Sequence, residues 1–381
     1  MFKKVKKLIC ILSVSSLLIG SYVLPSFANN SFPIDTTQHI PINRTDQQKK
    51  EYNDIITQHT KFAQIYGDID ASKATNADLE EYGIPDRPTD PQALIQWNEL
   101  YGHIKKTVKP EFSTSDYSAS GGWPTTLPTN VKFAGATNAD IALHDGYSNY
   151  GYQLVIGELT VPSVSQPATA QDEVSFWAGF GGGTSTADPL VQDGVHCMIK
   201  NNVITYEPFW EIYSVDQGNF YYHSGMQTDL PEIPKIIPIN PGDVVSFGAQ
   251  LSTNGTQVAF TISNQTTGVS TGYFTVDTAI PTLTEPNPGP TVNNEEVAWV
   301  TEKNGTSLAN FGTETTYGWY CFGYPGNLQT QPGLVANPFI SSASNSLLGF
   351  NMVSASKVPL CTVSSQPTSS SSFTTTFNNH Y

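Results

Sequence analysis

Val245-Ser246-Phe247-Gly248-Ala249-Gln250-Leu251 alternates apolar residues with small or polar ones without a break. A period of two is the signature of a strand with one buried face. Val245, Phe247, Ala249 and Leu251 fall on one side; Ser246, Gly248 and Gln250 fall on the other. Asn254-Gly255 follows, a strong signal for a tight hairpin, and Val258, Phe260 and Ile262 resume the alternation on the returning strand. Lys200-Asn201-Asn202 and the stretch Asn264 to Gly268 mark further turns, and the Pro-rich stretch Pro281 to Pro290 reads as a surface loop. No internal repeat is present. Short alternating strands at close, regular spacing predict an all-β sandwich of two antiparallel sheets, of the jelly-roll or concanavalin type.

Moving towards the N-terminus, the texture changes near residue 118. Residues 29–117 hold nine Lys or Arg and fourteen Asp or Glu, with helical patterning. Asp90 is placed to cap a helix whose first position is Pro91 and which continues through Ala93 to Tyr101. A second helix is predicted over Asp46 to Tyr66. Residues 29–117 are therefore read as a mainly helical propeptide, and 118–381 as the β-sandwich catalytic domain. Residues 1–28 read as a secretory signal: Lys3, Lys4, Lys6 and Lys7, an apolar run from Leu8 to about Leu24, then Ser26-Phe27-Ala28 as a cleavage site. No later run is long and apolar enough to span a bilayer. The expectation is a secreted, extracellular protein with no membrane association after signal cleavage.

From residue 118 onward there is no arginine, and five lysines stand against nineteen Asp and Glu. In acid the carboxylates lose their charge, and a chain with few bases then escapes much of the self-repulsion that unfolds proteins at low pH. A hydrolase working there cannot use a neutral histidine as base. The formal net charge of −15 argues against a nucleic-acid partner. Three cysteines (Cys197, Cys321, Cys361) remain after signal removal, enough for at most one internal disulfide; spacing does not say which pair forms. None sits in a CxxC or Cys/His cluster, and His144, His196, His223 and His380 show no ligand spacing, so neither a metal nor another cofactor is called for.

The motifs of serine, zinc and aspartic hydrolases are absent: there is no GxSxG, HExxH, Asp-Thr-Gly or Asp-Ser-Gly. Four other stretches stand out in order. They are Phe176-Trp177-Ala178-Gly179-Phe180-Gly181-Gly182, Val191-Gln192-Asp193-Gly194-Val195, Tyr206-Glu207-Pro208-Phe209-Trp210-Glu211-Ile212-Tyr213 and Val297-Ala298-Trp299-Val300-Thr301-Glu302. Together they resemble the glutamic peptidases (eqolisins), over a span from about Asn149 to the C-terminus. By position, the resemblance implies that Gln192 and Glu302 are catalytic and that Tyr150, Trp177, Glu207, Phe209, Glu211 and Tyr213 meet the substrate. It also implies substrate on the concave face of one of two packed sheets. The neighbours Glu295 and Glu296 do not match the apolar strand that ends in the catalytic acid. Gly181 replaces an aspartate usual in the family, and Tyr150 and Phe209 stand where tryptophans are expected.

The chemistry of such a pair suits acid. A carboxylate accepts a proton from water where imidazole is already charged, and an amide donates to an oxyanion without titrating. Considered singly, a strand glutamine is most often structural and a glutamate after an apolar strand most often ends it in water. Strand parity sets Glu207, Phe209, Glu211 and Tyr213 on one face and Trp210 on the opposite, core-facing side. The reading is thus a monomeric acid endopeptidase that hydrolyses protein or peptide substrates, with its own propeptide as inhibitor. Lys105, Lys106 and Lys109 are the candidates to pair with Glu207, Glu211 or Glu302 in the precursor. Two rivals are a β-sandwich glycoside hydrolase and a non-catalytic lectin-like module. Glu207 and Glu211, four residues apart on one strand, stand about 13 Å apart, too far for the carboxyl pair of either glycosidase class; a partner from another strand, such as Glu302, keeps that rival open.

Overall fold

The computed structural model describes residues 40–41, 45–110, 117–118, 129–130, 133–139, 152–165, 172–181, 190–200, 203–216, 219–224, 237–252, 256–277, 296–303, 307–322, 337–338, 347–363 and 372–380. In the N-terminal segment lie α1 (Asp46–Gln58), β1 (Thr60–Lys61), α2 (Asn76–Glu81), α3 (Pro91–Leu100) and β2 (Lys106–Thr107). The main strands that follow are β3 (Phe133–Ala139), β4 (Tyr152–Thr160), β5 (Asp172–Gly181), β6 (Leu190–Lys200), β7 (Val203–Asp216), β8 (Asn219–Ser224), β9 (Val244–Leu251) and β10 (Gln257–Asn264). After them come β11 (Val269–Ser270), β12 (Phe274–Asp277), β13 (Glu296–Glu302), β14 (Thr313–Phe322), β15 (Leu347–Val353), β16 (Pro359–Val363) and β17 (Ser372–Phe377).

Two antiparallel sheets face each other, as the alternation predicts. The front sheet runs β8-β7-β6-β5-β13-β3-β15. The back sheet runs β12-β10-β9-β4-β14-β17-β16-β15, so β15 belongs to both and closes one edge of the sandwich. Phe247 pairs with Ile262 and Ala249 with Phe260, which is the register that the two alternating runs require. The Asn254-Gly255 turn lies outside the described residues. The Asn264 to Gly268 turn is formed, with Gly268 at φ 74° and its N–H bonded to the Asn264 carbonyl at 2.8 Å.

The core fills the space between the sheets. Phe176, Phe180, Trp210 and Trp299 come from the front sheet, and Phe247, Phe260 and Phe274 from the back, all essentially buried. Trp210 points inward, as its parity predicts, and its ring centroid lies 5.2 Å from Phe260 and 5.5 Å from Phe274. Polar contacts also cross the core, two of them through backbone groups. Trp299 Nε1 donates to the Ile156 carbonyl at 2.7 Å, and the Gly248 N–H donates to Asp193 Oδ2 at 2.8 Å. Cys197 and Cys361 are buried free thiols, which rules out a bridge between them.

The N-terminal segment corrects one expectation. Asp90 caps α3 as read, accepting from the Ala93 N–H at 2.9 Å. The first helix, however, stops at Gln58 instead of reaching Tyr66, because Thr60 and Lys61 pair with β12 as an added edge strand. Composition changes at residue 118, but packing does not: one compact unit runs from Thr37 to Tyr381.

Candidate active site

Strand parity divides the front sheet into a core face and an outer face, and every described candidate residue is on the outer one. Its residues form rows across the strands. Glu211, Gln192, Gly179 and Ala298 are level with one another; Phe209, Gly194, Trp177 and Val300 make the next row; Glu207, His196, Ser175 and Glu302 make the third. Gly194 allows the middle row to form, since a Cβ there would run into the Phe176 carbonyl oxygen and the Trp177 side chain. Trp177, Phe209, Ala298 and Val300 pack as a small apolar cluster with Phe133 against it, the Phe133 and Trp177 ring centroids being 6.4 Å apart. The two polar rows therefore flank an apolar strip.

Each of the two predicted catalytic side chains is held by a neighbour. Gln192 Nε2 donates to Glu211 Oε2 at 2.6 Å, with Gln192 and Glu211 only 5% and 6% exposed. Trp177 Nε1 donates to Glu302 Oε2 at 2.9 Å. Burial pushes the Glu211 carboxyl up to about 8; the bond from Gln192 opposes this and the charge of Glu302 adds to it. Glu211 is therefore a neutral acid at and below neutrality, and Glu302 lies near enough for its charge to be felt there. Gln192 and Glu302 lie on the same face two rows apart, with the apolar strip between, and Glu302 acts on the carboxyl that Gln192 is bonded to. The middle row is itself covered, Trp177, Val300 and Phe209 being 1%, 3% and 4% exposed.

Sequence reasoning placed Glu211 among the substrate contacts; the fold makes it the direct partner of Gln192. It missed His196, which sits level with Glu207 at 5% exposure, has its Nε2 3.5 Å from Glu173 Oε2 and stacks edge-on to Phe209. Strand parity with Gln192 was the available signal for it. Tyr150 and the Tyr213 side chain lie outside the described residues. The expected pairing of prosegment lysines with Glu207, Glu211 or Glu302 is not what is found. Lys105 Nζ is 2.6 Å from Asp70 Oδ1, Lys109 sits over the Phe62 ring, and Lys106 belongs to β2, beside β11 of the back sheet. That stretch runs as an added strand on the other sheet, which fixes where its side chains go. Among the described residues no group of His, Cys, Asp and Glu could hold a metal ion.

An antiparallel sandwich with paired carboxyl and amide groups along one outer face has the build of a glutamic-type peptidase. The family description "Peptidase A4 family" matches residues 132–329, and this chain belongs to that family. Among solved structures, scytalido-glutamic peptidase with a peptide-based transition-state analogue is similar at 15% identity and a TM-score of 0.42, covering 65% of this chain and 99% of that one. SCP-B, a member of the eqolisin family in complex with the tripeptide Ala-Ile-His, gives 13%, 0.41 and the same coverage. Aspergilloglutamic peptidase from Aspergillus niger gives 19% and 0.36, over 54% of this chain and 99% of that one. No curated protein sequence matches this chain.

Proposed function

We propose that this peptidase is a secreted acid endopeptidase that cleaves peptide bonds with Gln192 and Glu302. Substrate lies over the Trp177–Phe209 strip. The Glu302 carboxylate takes a proton from water as that water's oxygen bonds to the scissile carbonyl carbon. Gln192 Nε2 donates to the oxygen that becomes negative, and Glu302 then returns the proton to the leaving amine as the C–N bond breaks. The observation that carries this reading is the position of the two side chains: same outer face, Gln192 bonded to Glu211 and Glu302 to Trp177, with Glu302's charge felt at Gln192's partner. Secretion follows from residues 1–28 as a cleaved signal, and acid operation from the base-poor composition after residue 118.

The test is hydrolysis of a denatured protein in acid, with pepstatin and a chelator as controls. Activity should survive both reagents. It should fall at least about a hundredfold in Gln192→Ala, the usual scale for one oxyanion donor, and to background in Glu302→Gln. Full activity in Glu302→Gln would remove the proposed base.

A further inference from the structure

The face of the sandwich opposite the groove is also occupied. Leu154, Ile156 and Ala259, together with Tyr273 just ahead of β12, point away from the core and are covered by Ala71, Leu79, Ile84, Trp97, Leu100, Tyr101 and Ile104 of the N-terminal segment. Trp97, Leu100, Tyr101 and Ile104 are each 3% exposed or less. Tyr101 Oη is 2.8 Å from Tyr273 Oη. Backbone bonds stitch the same boundary: Lys105 N to Gly268 O at 2.7 Å, Val108 N to Ser270 O at 2.8 Å, Tyr273 N to Gly83 O at 2.6 Å and Asp277 N to His59 O at 3.0 Å. Ile55, Phe62 and Val108, partly buried, pack against the main core cluster.

The sandwich is shaped to receive this segment. Gly272 has φ 60°, and a Cβ there would run into the Tyr82 carbonyl of the segment; Gly83 approaches Tyr273 in the same way from the other side. The segment also caps an exposed sheet edge, since β1 extends β12 and β2 lies beside β11. Removing it would uncover apolar side chains on the back sheet and leave β12 unpaired on one side. The family match begins at residue 132 and does not include this layer.

From this packing we infer that residues 45–110 are a permanent third layer of the folded enzyme, which stays bound without a covalent link after any cut between residue 110 and β3. An activation peptide covers a groove and leaves; this layer lies across the sandwich from Gln192 and Glu302. Its occupancy is independent of the assignment of those two residues, and so is its test.

A site for a specific protease is inserted between residues 111 and 116 of the full chain. After cutting, the mixture is run on a sizing column and each peak is weighed by mass spectrometry. Equimolar co-elution of both fragments is the expected result. Separation into a free N-terminal fragment and a monomeric, folded C-terminal fragment would overturn the proposal. Tyr101→Phe, which removes the bond to Tyr273 and little else, should speed fragment loss on dilution several-fold. An unchanged loss rate in Tyr101→Phe together with rapid loss in the parent would likewise overturn it.

Discussion

Glu314 lies in β14, 2% exposed, with its carboxyl oxygens bonded by Thr316 Oγ1 at 2.8 Å and Thr375 Oγ1 at 3.0 Å. Burial raises its carboxyl from 4.5 to about 8, with the two threonine bonds pulling the other way. Between those values the folded chain keeps this proton and the unfolded chain has released it. Raising the pH therefore favours unfolding: this group's contribution is complete below about 4.5 and is lost as pH climbs to about 8. One proton corresponds to about 1.4 kcal/mol per pH unit, so the loss between about pH 4.5 and about pH 7 comes to about 3 kcal/mol. Glu314→Gln keeps the shape and a polar end without a charge that can form. Its rearranged hydrogen bonds cost about 1 kcal/mol, at every pH alike. Urea unfolding of variant and parent, followed by tryptophan fluorescence at the two pH values, isolates the effect. Relative to the parent, the variant should gain about 3 kcal/mol between the acid and the neutral measurement. Two parallel stability curves would refute a buried neutral carboxyl at this position.

Three further outcomes are expected. Glu211→Ala should lower kcat/KM about tenfold, the value of one orienting hydrogen bond, while Glu211→Gln restores most of it; equal losses in both variants would deny Glu211 its hold on Gln192. Trp177→Phe removes the donor to Glu302 but keeps the apolar strip, so kcat should fall and the acid limb of the pH–activity profile should move to higher pH, with KM little changed. Burial pushes His103 down from 6.5 to about 4, with the charge of Lys105 adding to the shift. The N-terminal layer should therefore lose stability as pH falls from about 6.5 to about 4, read as faster fragment loss from the cut chain. His103→Gln should flatten that dependence.

The parts of this structure legible in the sequence are those fixed by local alternation. Phe247 opposite Ile262, Trp210 inward, and Glu207, Phe209 and Glu211 outward all follow from a side-chain period of two once the strands are recognised. The end of α1 was not legible, since it is set by pairing between Thr60 and Val276, more than two hundred residues apart in the chain. Nor was the partner of Gln192, which is set by the cross-strand register of β6 on β7. Asp193 was within reach and passed over. It alternates with Gln192, so its carboxyl must enter the core, where it accepts the Gly248 N–H and burial raises it well above the ordinary carboxylate range.

The third layer also has a sequence cause, and it lies in β4. Leu154-Val155-Ile156 is apolar on both faces at once, which a two-sheet sandwich with a wet outer surface does not need. Val155 fills the core; Leu154 and Ile156 face the other way and are still no more than 2% exposed. A strand that breaks the alternation in this manner requires cover on both sides. On the front sheet the outer face combines Gln192, Glu207, Glu211 and Glu302 with the apolar Trp177, Phe209, Ala298 and Val300. On the back sheet the outer face offers leucine, isoleucine, alanine and a tyrosine bonded to Tyr101, and the N-terminal segment covers it. The two outer faces thus differ in kind: polar rows flank an apolar strip on one, and an apolar surface is covered by the N-terminal segment on the other.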